Sequence, residues 1–171
     1  DERGYFFESW NQISFNNLLS IDISFKQDNH SFSKKGVIRG LHYQIMPCPQ
    51  GKLVRCSKGS IFDVAIDLRF NSSTFGEWAS AELSDKNHNQ LWIPEGFAHG
   101  FLTLSEEATV QYKATNFWSK EYERTIKWDD PRININWPIK KFNLSQTELS
   151  DKDLNAQSLN EAEINKDLFY L

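Results

Sequence analysis

Large apolar residues recur at every second position through residues 62–69, with Phe62, Val64, Ile66 and Leu68 set against Asp63, Ala65, Asp67 and Arg69. A period of two belongs to a strand, because successive side chains of extended backbone point to opposite faces. Segments of the same kind recur around it. Residues 78–83, residues 91–93, the face of Phe97, His99 and Phe101, and the face of Val110, Tyr112 and Ala114 all read this way. Breaks such as Asn71-Ser72-Ser73 and Ser84-Asp85-Lys86-Asn87 separate them. Upstream, Ile21, Ile23 and Phe25 alternate with Asp22, Ser24 and Lys26, which predicts a half-buried strand leading into a polar turn at residues 27–31. Many short strands at regular spacing predict an all-β sandwich or barrel. Helices are few. Residues 9–19 put Trp10, Ile13, Phe15 and Leu18 roughly on one side of a short helix, and Ser150 can cap a late one whose first turn is acidic. Residues 116–136, polar and aromatic, read as a long functional loop. With no repeat, low-complexity tract or linker, residues 1–171 form one predicted domain.

Composition removes several kinds of function. The net charge of −4 leaves no surplus of cations for a general nucleic-acid binder. No apolar run is long enough to span a bilayer and no signal-peptide pattern is present. Cys48 and Cys56 are too few for a disulfide framework or a cysteine zinc site, which makes a reducing cytoplasm the simplest expectation. Six Trp and thirteen Phe fill a barrel or stack on sugars and bases.

Chemistry concentrates between Gly36 and Lys58, where Arg39, His42 and Lys52 fall within two predicted strands. An arginine fork suits a phosphate, a histidine accepts a proton near neutral pH, and a lysine stabilises developing negative charge. Together they point to proton abstraction beside a carbonyl on a phosphorylated substrate. Taken alone, these residues fit a plainer arrangement slightly better, with two solvated cations and a hydrogen-bonded core histidine. Arg39 and His42 are three apart and would point to opposite faces of a regular strand. For both to reach one ligand, the strand must bulge or break near Gly40 or His42.

The chain resembles the dTDP-4-dehydrorhamnose 3,5-epimerases, nucleotide-sugar enzymes with a cupin-type jelly-roll barrel. The matching stretches are Asp1-Glu2-Arg3-Gly4-Tyr5-Phe6-Phe7-Glu8, Gln27-Asp28-Asn29-His30-Ser31, Arg39-Gly40-Leu41-His42-Tyr43-Gln44 and Gln50-Gly51-Lys52-Leu53-Val54-Arg55-Cys56. Residues 62–67, residues 90–101, Tyr112-Lys113-Ala114-Thr115 and Leu149-Ser150-Asp151-Lys152-Asp153 complete a match that runs in order over nearly the whole chain. The family carries a further N-terminal segment, with a strand, ahead of its Asp-x-Arg-Gly motif, so the resemblance implies a chain entered part-way through the domain.

The resemblance implies that His42 accepts the proton, paired with Asp153, that Tyr112 donates one, and that Lys52 lies by the carbonyl oxygen. It implies that Arg3, Glu8, Gln27, Asn29, Arg39, His99, Glu123 and Lys152 bind the nucleotide sugar. It further implies a homodimer without metal or redox cofactor. Cupin metal sites generally begin with two histidines one residue apart, whereas His42 is followed by Tyr43 and Gln44. Each assignment has a structural rival. Asp153 also fits a capping box closed by Ser150, Tyr112 and His99 fit a satisfied core, and Lys152 and Glu123 fit solvated surface. One position departs from many family members, since Trp118 stands where a second phenol is expected. The expected activity is epimerisation at C3 and C5 of a dTDP-linked 4-keto-6-deoxy-hexose. The alternatives are epimerisation at one carbon only and a cupin that binds a nucleotide sugar without turning it over. Intact His42, Asp153, Lys52 and Tyr112 weigh against the binder.

Overall fold

A computed structural model describes residues 1–144 and 147–170. Its strands are β1 (Gln27–Lys34), β2 (Ile38–Gln44), β3 (Lys52–Lys58), β4 (Ser60–Asp67), β5 (Trp78–Ser84), β6 (Gln90–Ile93), β7 (Phe97–Thr103), β8 (Glu107–Ala114) and β9 (Glu123–Thr125). They form two antiparallel sheets, one ordered β1-β8-β3-β6 and the other β5-β4-β7-β2-β9. The helices are short: α1 (Gln12–Leu19), α2 (Asp151–Leu154) and α3 (Leu159–Ile164). This is the all-β architecture that the strand spacing predicts, in the jelly-roll form with short flanking helices that the resemblance implies.

Two apolar clusters explain which residues face where. Val54, Cys56, Ile61, Ala65, Leu83, Ile93, Phe101, Ala108 and Val110 pack between the sheets. A second cluster covers the opposite face of the five-stranded sheet, where Val64, Ile66, Ala98 and Leu102 meet Ile126, Trp137, Leu159 and Phe169 from the C-terminal third. β4 is therefore buried on both faces. Its alternation is real, but Asp63 and Asp67 are 0% and 1% exposed rather than solvated. Asp67 holds its charge there because hydrogen bonds from Arg69, Ser72 and Thr74 outweigh the burial that opposes ionisation.

The N-terminal expectations need correction. Residues 21–26 form no strand, and the polar turn expected at 27–31 is instead the first part of β1, paired in full register with β8. Its polarity on both faces concealed it. Gln27, Asn29, Ser31 and Ser33 occupy the less exposed alternate positions, so they are polar without being outward. Helix α1 starts at Gln12 behind the Asn11 cap, and its Ile13 and Leu18 are exposed rather than packed. Trp10 and Phe15 pack instead on Phe25 and Trp92. Helix α3 lies within the helical C-terminal tail expected from about residue 150, and Ser158 and Glu161 form a reciprocal capping box that marks its start.

β2 breaks where the spacing of Arg39 and His42 requires. Its register against β7 shifts between those two residues. Gly40 has φ +121°, and a Cβ there would lie 2.6 Å from the Gly100 Cα and 2.7 Å from the His99 carbonyl oxygen. Only glycine meets both demands.

Candidate active site

The break in β2 turns Arg39 and His42 toward one cleft, at whose walls Lys52 from β3, His99 from β7, Tyr112 from β8 and Glu123 from β9 also stand. Trp118, in the loop after β8, closes one side. Six of the residues singled out in the sequence thus share a cavity. They reach it from five strands of both sheets.

His42 Nε2 lies 2.6 Å from Asp153 Oδ1, across 111 residues of sequence. Asp153 is 3% exposed and sits on the single turn of α2, which docks against β2. Ser150 caps that turn, accepting from the Asp153 N–H at 3.2 Å, and its hydroxyl donates to Asp153 Oδ2 at 2.9 Å. The helix cap and the histidine pair therefore coexist, one carboxylate oxygen serving each. Burial opposes charge on Asp153, but the His42 and Ser150 hydrogen bonds outweigh it and hold the carboxyl below its ordinary range. An ionised Asp153 accepts from Nε2–H and leaves the Nδ1 lone pair free. Burial also pushes the His42 imidazole below its usual value, more than the Asp153 charge restores. The ring is accordingly neutral at neutral pH.

Lys52 is 5% exposed, and its Nζ donates to the backbone carbonyl of His42 at 3.2 Å. Burial pulls its pKa down to about 8, partly offset by the charges of Glu123 and Asp63. The ammonium stands 5.7 Å from the centre of the Tyr112 ring. Burial, aided by Glu123, raises the Tyr112 phenol, which keeps its proton.

The other singled-out residues divide. Lys152 reaches the rim through an ion pair with Glu123 at 2.7 Å. Asn29 lines an adjoining groove that shares Tyr112 with the cleft. Gln27 donates to Asn29 Oδ1 and accepts from the Trp118 N–H. Arg3 and Glu8 are not brought to the cleft within this chain: Arg3 pairs with Asp1, and Glu8 accepts from Asn11. His99 is both cleft wall and satisfied core residue, bonded through Nε2 to Asp63 Oδ1 at 2.7 Å. Asp63 was missed because a polar residue alternating with apolar ones reads as solvent-facing. The Ala65 between Asp63 and Asp67 on that face was the available hint. Among the described residues no group of three His, Cys, Asp or Glu is arranged to hold a metal ion.

A neutral histidine held by a buried carboxylate, beside a desolvated ammonium and a protonated phenol, is equipped to move protons at carbon and to steady the charge left on a neighbouring oxygen. That defines an acid–base isomerase. Comparison with known proteins narrows the class. The model of the dTDP-4-dehydrorhamnose 3,5-epimerase family matches residues 1–161, and the chain belongs to that family. It is 55% identical over 163 residues to the dTDP-4-dehydrorhamnose 3,5-epimerase of Shigella flexneri, covering 95% of this chain and 87% of that one. The fold superposes with a TM-score of 0.94 on the dTDP-6-deoxy-D-glucose-3,5-epimerase of Legionella pneumophila in complex with dTDP-4-keto-L-rhamnose, at 46% identity and covering 100% of this chain and 88% of that one. A 3'-monoepimerase from Streptomyces bikiniensis, in complex with dTDP-quinovose, gives 0.90 at 31% identity, covering 99% of this chain and 84% of that one.

Proposed function

We infer that this chain epimerises a dTDP-linked 4-keto-6-deoxy-hexose at C3 and C5, converting dTDP-4-dehydro-6-deoxy-D-glucose to dTDP-4-dehydro-L-rhamnose. The hydrogens at both carbons lie next to the C4 ketone, so loss of either gives an enolate whose charge rests on O4. His42 takes the proton through the nitrogen that Asp153 leaves free. Lys52 sets an ammonium against the developing charge on O4, where desolvation magnifies its effect. Tyr112 returns a proton from the opposite face, which inverts the centre. Arg39 and Lys152 suit the diphosphate, and His99, Glu123, Gln27 and Asn29 the remaining polar groups of the ligand. The observation that carries this reading is the His42–Asp153 pair at 2.6 Å with the Lys52 ammonium bonded to the carbonyl of His42 itself.

The test is proton exchange in heavy water with dTDP-4-keto-6-deoxyglucose, followed by NMR. Deuterium at C3 and C5 with inverted products is expected. Exchange at one carbon alone would replace this reading by a mono-epimerase, and tight binding without exchange would replace it by a binding protein.

Both protonation requirements carry a pH signature. His42 must be neutral and its pKa is lowered from 6.5, so the acid limb of kcat/KM is centred below 6.5. Lys52 must be charged, so activity falls again as pH rises through about 8. A bell between those limits is expected for the wild-type enzyme. An acid limb centred above 6.5 would contradict the part given to His42.

The finer assignments are one jelly-roll domain, a cytoplasmic location and a homodimer. Packing of the C-terminal third onto the five-stranded sheet supports the first, and two free cysteines support the second. For the dimer, Tyr5, Phe6 and Phe7 stand exposed beside Arg3 and Glu8, which do not line the His42 cleft of their own chain. A second copy gives them one. Sedimentation showing only single chains at micromolar concentration would remove that assignment.

A further inference from the structure

Trp118 offers its indole to the cleft at 54% exposure, yet its backbone is tied down by side chains from two strands. Its N–H donates to Gln27 Oε1 at 2.9 Å. The residues on either side are held by Gln44 of β2: Gln44 Nε2 donates to the Phe117 carbonyl at 3.1 Å, and Gln44 Oε1 accepts from the Ser119 N–H at 2.6 Å. The same amide donates to the Cys48 carbonyl at 2.7 Å, which engages both of its hydrogens. Gln44 is 2% exposed, so an apolar residue would be the ordinary occupant of its site. It follows His42 by two residues and points to the same side of the strand.

We propose that Gln44 is a positioning residue for the epimerisation, joining the Trp118 loop to the strand that carries His42 so that the indole forms a fixed wall against the sugar ring. This rests on the epimerase reading above. The sugar is the part of the ligand addressed because Trp118 lines the cleft that His42, Lys52 and Tyr112 also line. Fixing the loop to the catalytic strand lets the sugar meet a wall already in register with the base, and orientation of that kind is costly to lose.

The substitution Gln44→Met keeps length and volume while removing all three hydrogen bonds. In enzyme labelled with 5-fluorotryptophan, the Trp118 resonance is identified by its loss in Trp118→Phe. Gln44→Met is expected to shift or broaden that resonance and to lower kcat/KM about tenfold. In a Trp118→Ala background the same change is expected to cost less than about twofold, because nothing is left to position. An unaltered Trp118 resonance, or an equal loss of activity in both backgrounds, overturns the proposal. Should Gln44→Met fail to fold, Gln44→Glu keeps the acceptor for the Ser119 N–H and removes both donors, to the Phe117 and Cys48 carbonyls. An unchanged resonance there overturns it equally. The fluorine readout needs no turnover, which separates its failure from a failure of the epimerase reading.

Discussion

Replacing His42 with alanine is expected to lower kcat by about a thousandfold, the middle of the range for loss of a general base, while dTDP affinity stays within a few-fold. On the proposed reading the imidazole meets the sugar, whereas dTDP binding draws on cations and amides elsewhere in the cleft. Alanine also strands the Asp153 carboxylate, which is 3% exposed and keeps only Ser150 as a side-chain partner. Leaving a buried charge unpaired costs about 3–5 kcal/mol where burial is complete, so part of any loss could be structural. His42→Asn separates the two effects, since its amide can still donate toward Asp153 but cannot act as a base. Turnover measured by NMR and dTDP binding measured by calorimetry decide the matter. If both variants bind dTDP and turn over normally, His42 is not the base.

Replacing Lys52 with methionine is expected to lower kcat by about 10²–10³, the usual cost of removing one group that stabilises an oxyanion, with little change in KM. Methionine fills the same narrow space without charge, and melting followed by circular dichroism checks that the barrel persists. The pH profile gives a sharper sign. In the wild type, activity is expected to decline as Lys52 loses its proton near pH 8. The methionine variant has no such proton to lose, so its residual activity carries no alkaline limb there. A limb that survives the substitution belongs to another group.

Much of this site was legible in the chain because its residues lie in short, specific motifs. The three-residue spacing of Arg39 and His42, with Gly40 between them, required an irregular strand, and the register shift in β2 is that irregularity. What escaped notice did so through burial. A polar residue in a strand has the same sequence signature whether it faces water or lines a cleft. The first part of β1, residues 27–31, consequently reads as a turn, and alternation alone does not mark Asp63 or Gln44 as buried. Residues 21–26 erred the other way, since alternation there met no partner strand to pair with.

The sequence by itself determined the period-two segments, their all-β class and the reactive groups the chain carries, because those depend on side-chain type and local spacing. It also marked Ser150 as a cap for α2. The resemblance implies that Asp153 pairs with His42. Only the tertiary structure decided that one carboxylate oxygen reaches Nε2 while Ser150 holds the other, that Lys52 is dry enough to titrate near 8, and that Trp118 is held by amides from β1 and β2. Proximity and desolvation belong to the packed assembly of two sheets. No local pattern encodes them, because each depends on which distant segment comes to lie alongside.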